Sequence, residues 1–291
     1  MRFWKKLACL VLALALIVAL CSCGAFAPRM VTGVQKMAKL NSFHSDSTIT
    51  ADVTLRLLEQ DTPLTLTVHA LGDHQKDPGL NALDLTLSLM DFDQHLLVYT
   101  VKEGETLSVY SSWNNGEVWT RSTVEAQAED AAASASELSP ADLLKLGLGL
   151  ASYFSETGPV ELTGEDGGTA EGIGYEGLIP ADMLREILRS SGLIEKLNEK
   201  LPAPLDDSAL ALIGDLPVKM VLDKDSSMIC RVEMELGTAL GELLNRILAS
   251  LLEENEFLGA AVELRIDGFR TVTELSRFDS VTVVLPSLPE S

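Results

Sequence analysis

Between residues 48 and 123 apolar and polar side chains alternate in six consecutive segments: 48–57, 64–71, 83–89, 96–101, 106–111 and 117–123. Successive side chains of a strand point to opposite faces, so a period of two gives each segment one apolar and one polar side. Turn formers separate the segments: Asp61 and Pro63, Gly72 and Asp73, Asp77 to Gly79, Asp91 to Asp93, Glu103 and Gly104, and Asn114 to Gly116. Asn115-Gly116 between two alternating runs predicts a two-residue hairpin, because both residues tolerate positive φ. Short connections between six such segments predict an antiparallel meander with one dry face and one wet face.

The period then changes. Residues 125–138, rich in Ala, Ser and acids, read as an exposed linker. Ser139-Pro140 with Asp142 starts a helix to about residue 154, with leucine nearly all round at 143, 144, 146, 148 and 150. Short strands follow near 160–163 and 169–175. Pro180 and Asp182 open a second helix, whose inner face carries Met183, Leu184, Ile187 and Leu188. Ser190 to Gly192 interrupts it before residues 193–201. Strands at 217–222 and 228–236 are joined at Asp223 to Ser227. The third long helix, 238–254, has an apolar stripe of Leu240, Leu243, Leu244, Ile247, Leu248, Leu251 and Leu252. Its opposite face carries Glu242, Asn245, Arg246 and Glu253. Strands at 261–266 and 280–285 close the chain, and a short helix over 29–40 precedes everything. Helices and antiparallel strands in this order make an α+β fold, with helices against one side of a large sheet.

The first residues carry Arg2, Lys5 and Lys6, followed by an apolar run from Leu7 to Leu20. A membrane-crossing helix needs about 20 apolar residues, and a shorter run behind a basic front is the layout of a signal peptide. Leu20-Cys21-Ser22-Cys23 resembles the lipobox of bacterial lipoproteins. That resemblance implies cleavage before Cys23, a diacylglyceryl thioether on its sulfur, and anchorage at the outer face of the cytoplasmic membrane. It divides the chain into a signal peptide (1–22), a lipidated tether (23–29) and one domain (30–291).

Charge and chemistry narrow the function. The formal net charge is −21, and cleavage would remove only cations. Nucleic acid and anionic surfaces are bound through Lys and Arg, so nucleic acid is an unsuitable partner for this chain. After cleavage Cys23 and Cys230 are the remaining cysteines, which leaves no internal disulfide, and Cys230 in an apolar strand reads as a core residue. Gly164 to Gly168 lies among acids that would repel phosphate. Asp223 to Ser227 lacks the glycine and the terminal glutamate of a calcium loop. His44, His69, His74 and His95 show no metal-ligand spacing, and no nucleophile motif is legible. The expectations are therefore no catalytic residues, no metal and no cofactor.

Three further stretches, Met37 to His44, Val218 to Asp225 and Val281 to Pro286, resemble in order the lipoprotein-carrier (LolA-like) superfamily. The resemblance implies a curved half-barrel sheet with helices packed on its concave face, and between them room for a lipid-like or other apolar ligand. The lining expected from the helix faces is Leu143, Leu144, Leu148, Leu184, Ile187, Leu188, Leu244, Ile247, Leu248 and Leu251. The same residues fit plain core filling, and a non-enzymatic envelope interaction or signalling module without a small ligand is the alternative function. Lipidation has a direct readout: Cys23→Ser is expected to move the protein from the membrane fraction to the soluble fraction, and an unchanged membrane fraction refutes the anchor.

Overall fold

The structure is a computed structural model that describes residues 28–57, 60–103, 106–113, 115–125, 153–163, 169–190, 193–198, 201, 204–253 and 262–286. The signal peptide, Cys23, most of the 125–138 linker and residues 139–152 of the leucine-rich helix lie outside them. In chain order the described elements are α1 (Pro28–Met37), β1 (Ser42–Leu57), β2 (Gln60–Gln75), β3 (Leu80–Leu89), β4 (Phe92–Glu103), β5 (Thr106–Ser112) and β6 (Thr120–Glu125). Then come β7 (Phe154–Thr163), β8 (Thr169–Ile179), α2 (Ala181–Ser190), α3 (Leu193–Asn198), α4 (Asp207–Leu210), β9 (Leu216–Asp223), β10 (Ile229–Met234), α5 (Leu236–Glu253) and β11 (Val262–Ser276).

All eleven strands belong to one sheet, in the order β6-β5-β4-β3-β2-β1-β11-β10-β9-β8-β7. Every neighbouring pair is antiparallel. Strands adjacent in sequence are adjacent in space, except that β6 and β7 stand at opposite edges while β11 returns beside β1. The sheet is an up-and-down meander left open between β6 and β7.

The registers sort the side chains into two faces. Ile49 sits opposite Val68, Val68 opposite Leu87, and Ile49 on its other side opposite Thr271. This apolar parity is the inner face. The other parity, with Asp46, Thr48, His69 and Thr86, is the outer one. Among the described residues, a contiguous core covers the inner face where β8–β11 run: Tyr175, Met220, Val232, Met234 and Phe269 pack with Met30 of α1, Leu184 of α2 and Leu240, Leu243, Leu244, Ile247 and Leu248 of α5. Apolar burial on this scale supplies most of the stability of such a domain, at roughly 25 cal/mol per Å².

Helix α5 also performs a task that its sequence hides. Strand β10 is short and pairs only with Thr271 to Glu274 of β11. Further along β11, a bulge at Asp267 shifts the register against β1. There the Asn245 amide takes the place of a strand: Ile266 N–H donates to Asn245 Oδ1 at 2.6 Å, and Asn245 Nδ2 donates to the Ile266 carbonyl at 3.1 Å. Asn245, expected on the polar face of this helix, is instead half-buried and seals an open sheet edge.

Other expectations also change. Residues 280–285 form no strand. Val281 and Val283 are buried at strand-like spacing, but their N–H groups donate to side chains, Ser42 Oγ at 3.1 Å and Gln75 Oε1 at 3.1 Å. Asn115 and Gly116 do adopt positive φ, yet the ladder resumes only at the pair Ser111 and Thr120, so the connection is longer than a two-residue hairpin. Phe154, placed at the end of a helix, begins β7. The turn at Asp223 to Ser227 is a plain hairpin turn, in which Asp223 Oδ1 accepts from Ser226 N–H at 2.6 Å.

Asn245→Leu strands the Ile266 N–H and carbonyl against an apolar side chain. The expected loss is about 1–3 kcal/mol, read as a lower urea midpoint at unchanged m-value. A midpoint equal to that of the wild type would show that the amide pairing contributes nothing.

Candidate ligand-binding face

The inner face continues past the core onto β1–β4, and there its character changes row by row. The outermost row, one step beyond the ladders, has Lys39 and Asn41, Lys76, Gly79 and Lys102. These residues line an open concavity of about 650 Å³ together with Leu40, Asp77 and Pro78. The next row runs Phe43, His74, Asn81, Thr100 across the four strands. After it come Ser45, Gly72, Leu83, Val98, then Ser47, Ala70, Leu85, Leu96, and then Ile49, Val68, Leu87, Gln94. Rows of like parity lie about 7 Å apart along a strand. Charge at the rim thus gives way to hydrogen-bonding groups and then to leucine and valine. Leu66, Leu83, Leu85, Leu87, Leu89 and Leu96 are half-buried, whereas the same face under α5 is fully buried.

The second and third rows are tied by hydrogen bonds that cross four strands. Ser45 Oγ lies 3.0 Å from His74 Nε2, His74 Nδ1 lies 3.1 Å from Asn81 Oδ1, and Asn81 Nδ2 donates to Thr100 Oγ1 at 2.8 Å. With its Nδ2 committed to Thr100, Asn81 presents an acceptor to the ring. His74 then carries its proton on Nδ1 and accepts from Ser45 on Nε2. Phe43 stacks on the imidazole, with centroids 4.5 Å apart. Burial pushes the His74 imidazole below its ordinary 6.5, opposed by the Asn81 hydrogen bond. Gly72 makes room for this pair: a Cβ there would lie 2.5 Å from Ser45 Oγ and 2.7 Å from His74 Nε2.

Serine, histidine and asparagine in this order also match a nucleophile, its base and an orienting group. Hydrolytic chemistry further needs N–H donors aimed at a developing oxyanion. Ser45 is mid-ladder, paired with Gly72 on one side and Leu275 on the other, so its strand has no spare donors to offer. The remaining histidines are elsewhere: His69 bonds Asp46 at 2.7 Å and His44 bonds Asp73 at 2.6 Å, on the outer face, where Arg277 also reaches Asp73. Among the described residues no cluster could hold a metal ion. Burial pushes the Cys230 thiol up to about 11, far from nucleophile territory.

Cys23, the expected lipidation site, and Leu143, Leu144 and Leu148 of the expected lining lie outside the described residues. Leu184, Leu244, Ile247 and Leu248 are buried in the core on β8–β11, and Leu188 packs at its margin. Ile187 is half-buried on α2, and Leu251 lies in the last turns of α5. Among the described residues the half-buried apolar surface is on β1–β4 instead. A pattern search missed it because the residues of each row come from four segments, and only strand register aligns them.

No protein-family model and no curated protein matches the sequence. Among solved structures, the chain is similar to a DUF1329 family protein from Desulfovibrio piger, at 10% identity over 86% of this chain and 89% of that one, with a TM-score of 0.20. It is also similar to a β-barrel-like protein of domain of unknown function DUF1849 from Brucella abortus, at 8% identity over 80% and 97%, with a TM-score of 0.25.

The lowered His74 value has a consequence for stability. Below its ordinary value of 6.5 the unfolded chain binds a proton that the folded chain resists, so this contribution to stability is lost as pH falls through 6.5. His74→Gln is therefore expected to flatten the decline of melting temperature between about pH 7 and pH 5 relative to wild type. Parallel declines would show that the imidazole is not held neutral by burial.

Proposed function

We propose that this protein is an extracytoplasmic lipoprotein that binds or carries a lipid-like molecule on the inner face of a half-barrel sheet. The carrying observation is the half-exposed apolar surface of β1–β4, which lies on the same face as the fully covered core of β8–β11. Pockets for apolar ligands are mostly apolar, with a few convergent polar groups that fix orientation. Ser45, His74, Asn81 and Thr100 are such groups, and they border leucines. The open edges at β6 and β7 leave the sheet unclosed, as a half-barrel requires. In this reading the helices lie on the concave face over β8–β11, and the ligand takes the part of that face beside them, on β1–β4. Cys23 holds the domain at the membrane where such a molecule would be collected. In this reading the protein holds its ligand without catalysis.

The test is native mass spectrometry of the full chain released from detergent micelles after extraction from its own membranes. A co-purified amphiphile is expected on the wild type. Leu85→Glu, on the inner face of β3, should lose it, while Thr86→Glu, one residue along on the outer face, should keep it. A wild type free of lipid after incubation with membrane lipids, or equal retention by both variants, overturns the reading.

A further inference from the structure

We propose that the inner face of β1–β4 takes an uncharged acyl ester of the diacylglycerol type, with its glycerol end on Ser45, Asn81 and Thr100 and its chains along the leucines of β3. This names the ligand class of the face described above and rests on that reading.

The face carries no formal charge over its described length. From the row of Phe43, His74, Asn81 and Thr100 to the row of Ala51, Leu66, Leu89 and Phe92, no inner-face position of these four strands is a carboxylate, a lysine or an arginine, although 22% of the chain is charged. Burial pushes the His74 imidazole below its ordinary value, so the row has no cation near neutral pH either. The rim outside the row carries both signs, with Lys39, Lys76 and Lys102 beside Asp77 and Asp279. A carboxylate or phosphate laid on the row would exchange its hydration for neutral partners alone, whereas an ester has far less hydration to lose.

Hydrogen bonds within the row fix what it can offer to a ligand. Asn81 commits its Oδ1 to His74 and one Nδ2 proton to Thr100, which leaves the second Nδ2 proton. Thr100 accepts through Oγ1, and among the described residues nothing takes its own hydroxyl proton. Ser45 donates to His74 Nε2 and keeps its lone pairs. The row therefore presents donors at Asn81 and Thr100 and an acceptor at Ser45. Asn81 and Thr100 are paired on adjacent strands, about 5 Å apart, a spacing that suits two ester carbonyls of one glycerol. Ser45 is left to accept from a glycerol hydroxyl.

Length supports the same class. Leu83, Leu85, Leu87 and Leu89 continue along β3 from Asn81, and Leu83 to Leu89 spans about 20 Å. One leaflet of a bilayer gives its chains about 15 Å of depth, half of the hydrocarbon core, so a membrane acyl chain can lie flat on this track. At the far end Phe92 stands opposite Leu89 and is exposed, which carries the apolar track to the β3–β4 turn.

The test is native mass spectrometry of the full chain in micelles that hold two lipids at equal mole fraction. The first pair is a diacylglycerol and the dialkyl ether glycerol with chains of the same length, which keeps the hydroxyl and lacks the ester carbonyls. Wild type is expected to hold the ester over the ether by about tenfold, the yield of two neutral hydrogen bonds. Thr100→Val should cut that ratio to about threefold. The second pair is the diacylglycerol and a phosphatidic acid with the same chains, and the phosphatidic acid is expected to bind no better at low salt. Equal occupancy by ester and ether in wild type overturns the ester site and leaves the apolar face standing. An unchanged ratio in Thr100→Val overturns the placement of the esters on the polar row. A preference for phosphatidic acid that salt weakens overturns the uncharged class. A chain that holds none of the lipids overturns the face, and the site with it.

Discussion

The pairing of β11 with β1 joins residues such as Ser47 and Thr273, which are 226 positions apart and share a hydroxyl hydrogen bond across the ladder. Without it the meander β1–β6 and the helix-rich second half would be two sheets, each with an open edge at its centre. A single exposed edge of that length is a template for unwanted pairing. Joining the halves spends that edge internally and lets the helices of the second half sit over one continuous face. The cost is loop-closure entropy, because no local contact can form this ladder early.

Unequal cover of the inner face follows from that join. Helices α1, α2 and α5 all pack with the inner face of β8–β11, and the core ends near Ile49 and Ala51 of β1. Strands β2–β4 carry the same apolar alternation but remain half-buried. One chemical pattern therefore serves as core at one end of the sheet and as an available surface at the other. The polar row at Ser45, His74 and Asn81 marks the transition to the charged rim, and Gly72 provides the room that the Ser45–His74 hydrogen bond needs.

Several of these features were legible in the amino-acid sequence, because they depend on neighbours along the chain. The strand segments of β1–β5, the Asp223 turn and the stripe on α5 all follow from periods of 2 or 3.6 and from turn chemistry. Asn245 and residues 280–285 were misread because their roles depend on distant partners. The asparagine looked like a surface residue until Ile266 was placed against it. Val281 and Val283 alternate like a strand, but the groups that satisfy their backbones are the side chains of Ser42 and Gln75.

By itself the sequence determined which side chains are apolar and at what spacing, and hence that a large antiparallel sheet with covering helices would form. Its acidity and its cysteine usage were likewise fixed before any folding. Only the tertiary structure decided which of the described apolar residues meet α1, α2 and α5, and that Lys39, Lys76 and Lys102 line one concavity. The physical reason is register: hydrogen bonds between strands align residues from four segments into rows, and periodicity within one segment carries no information about its neighbour's register.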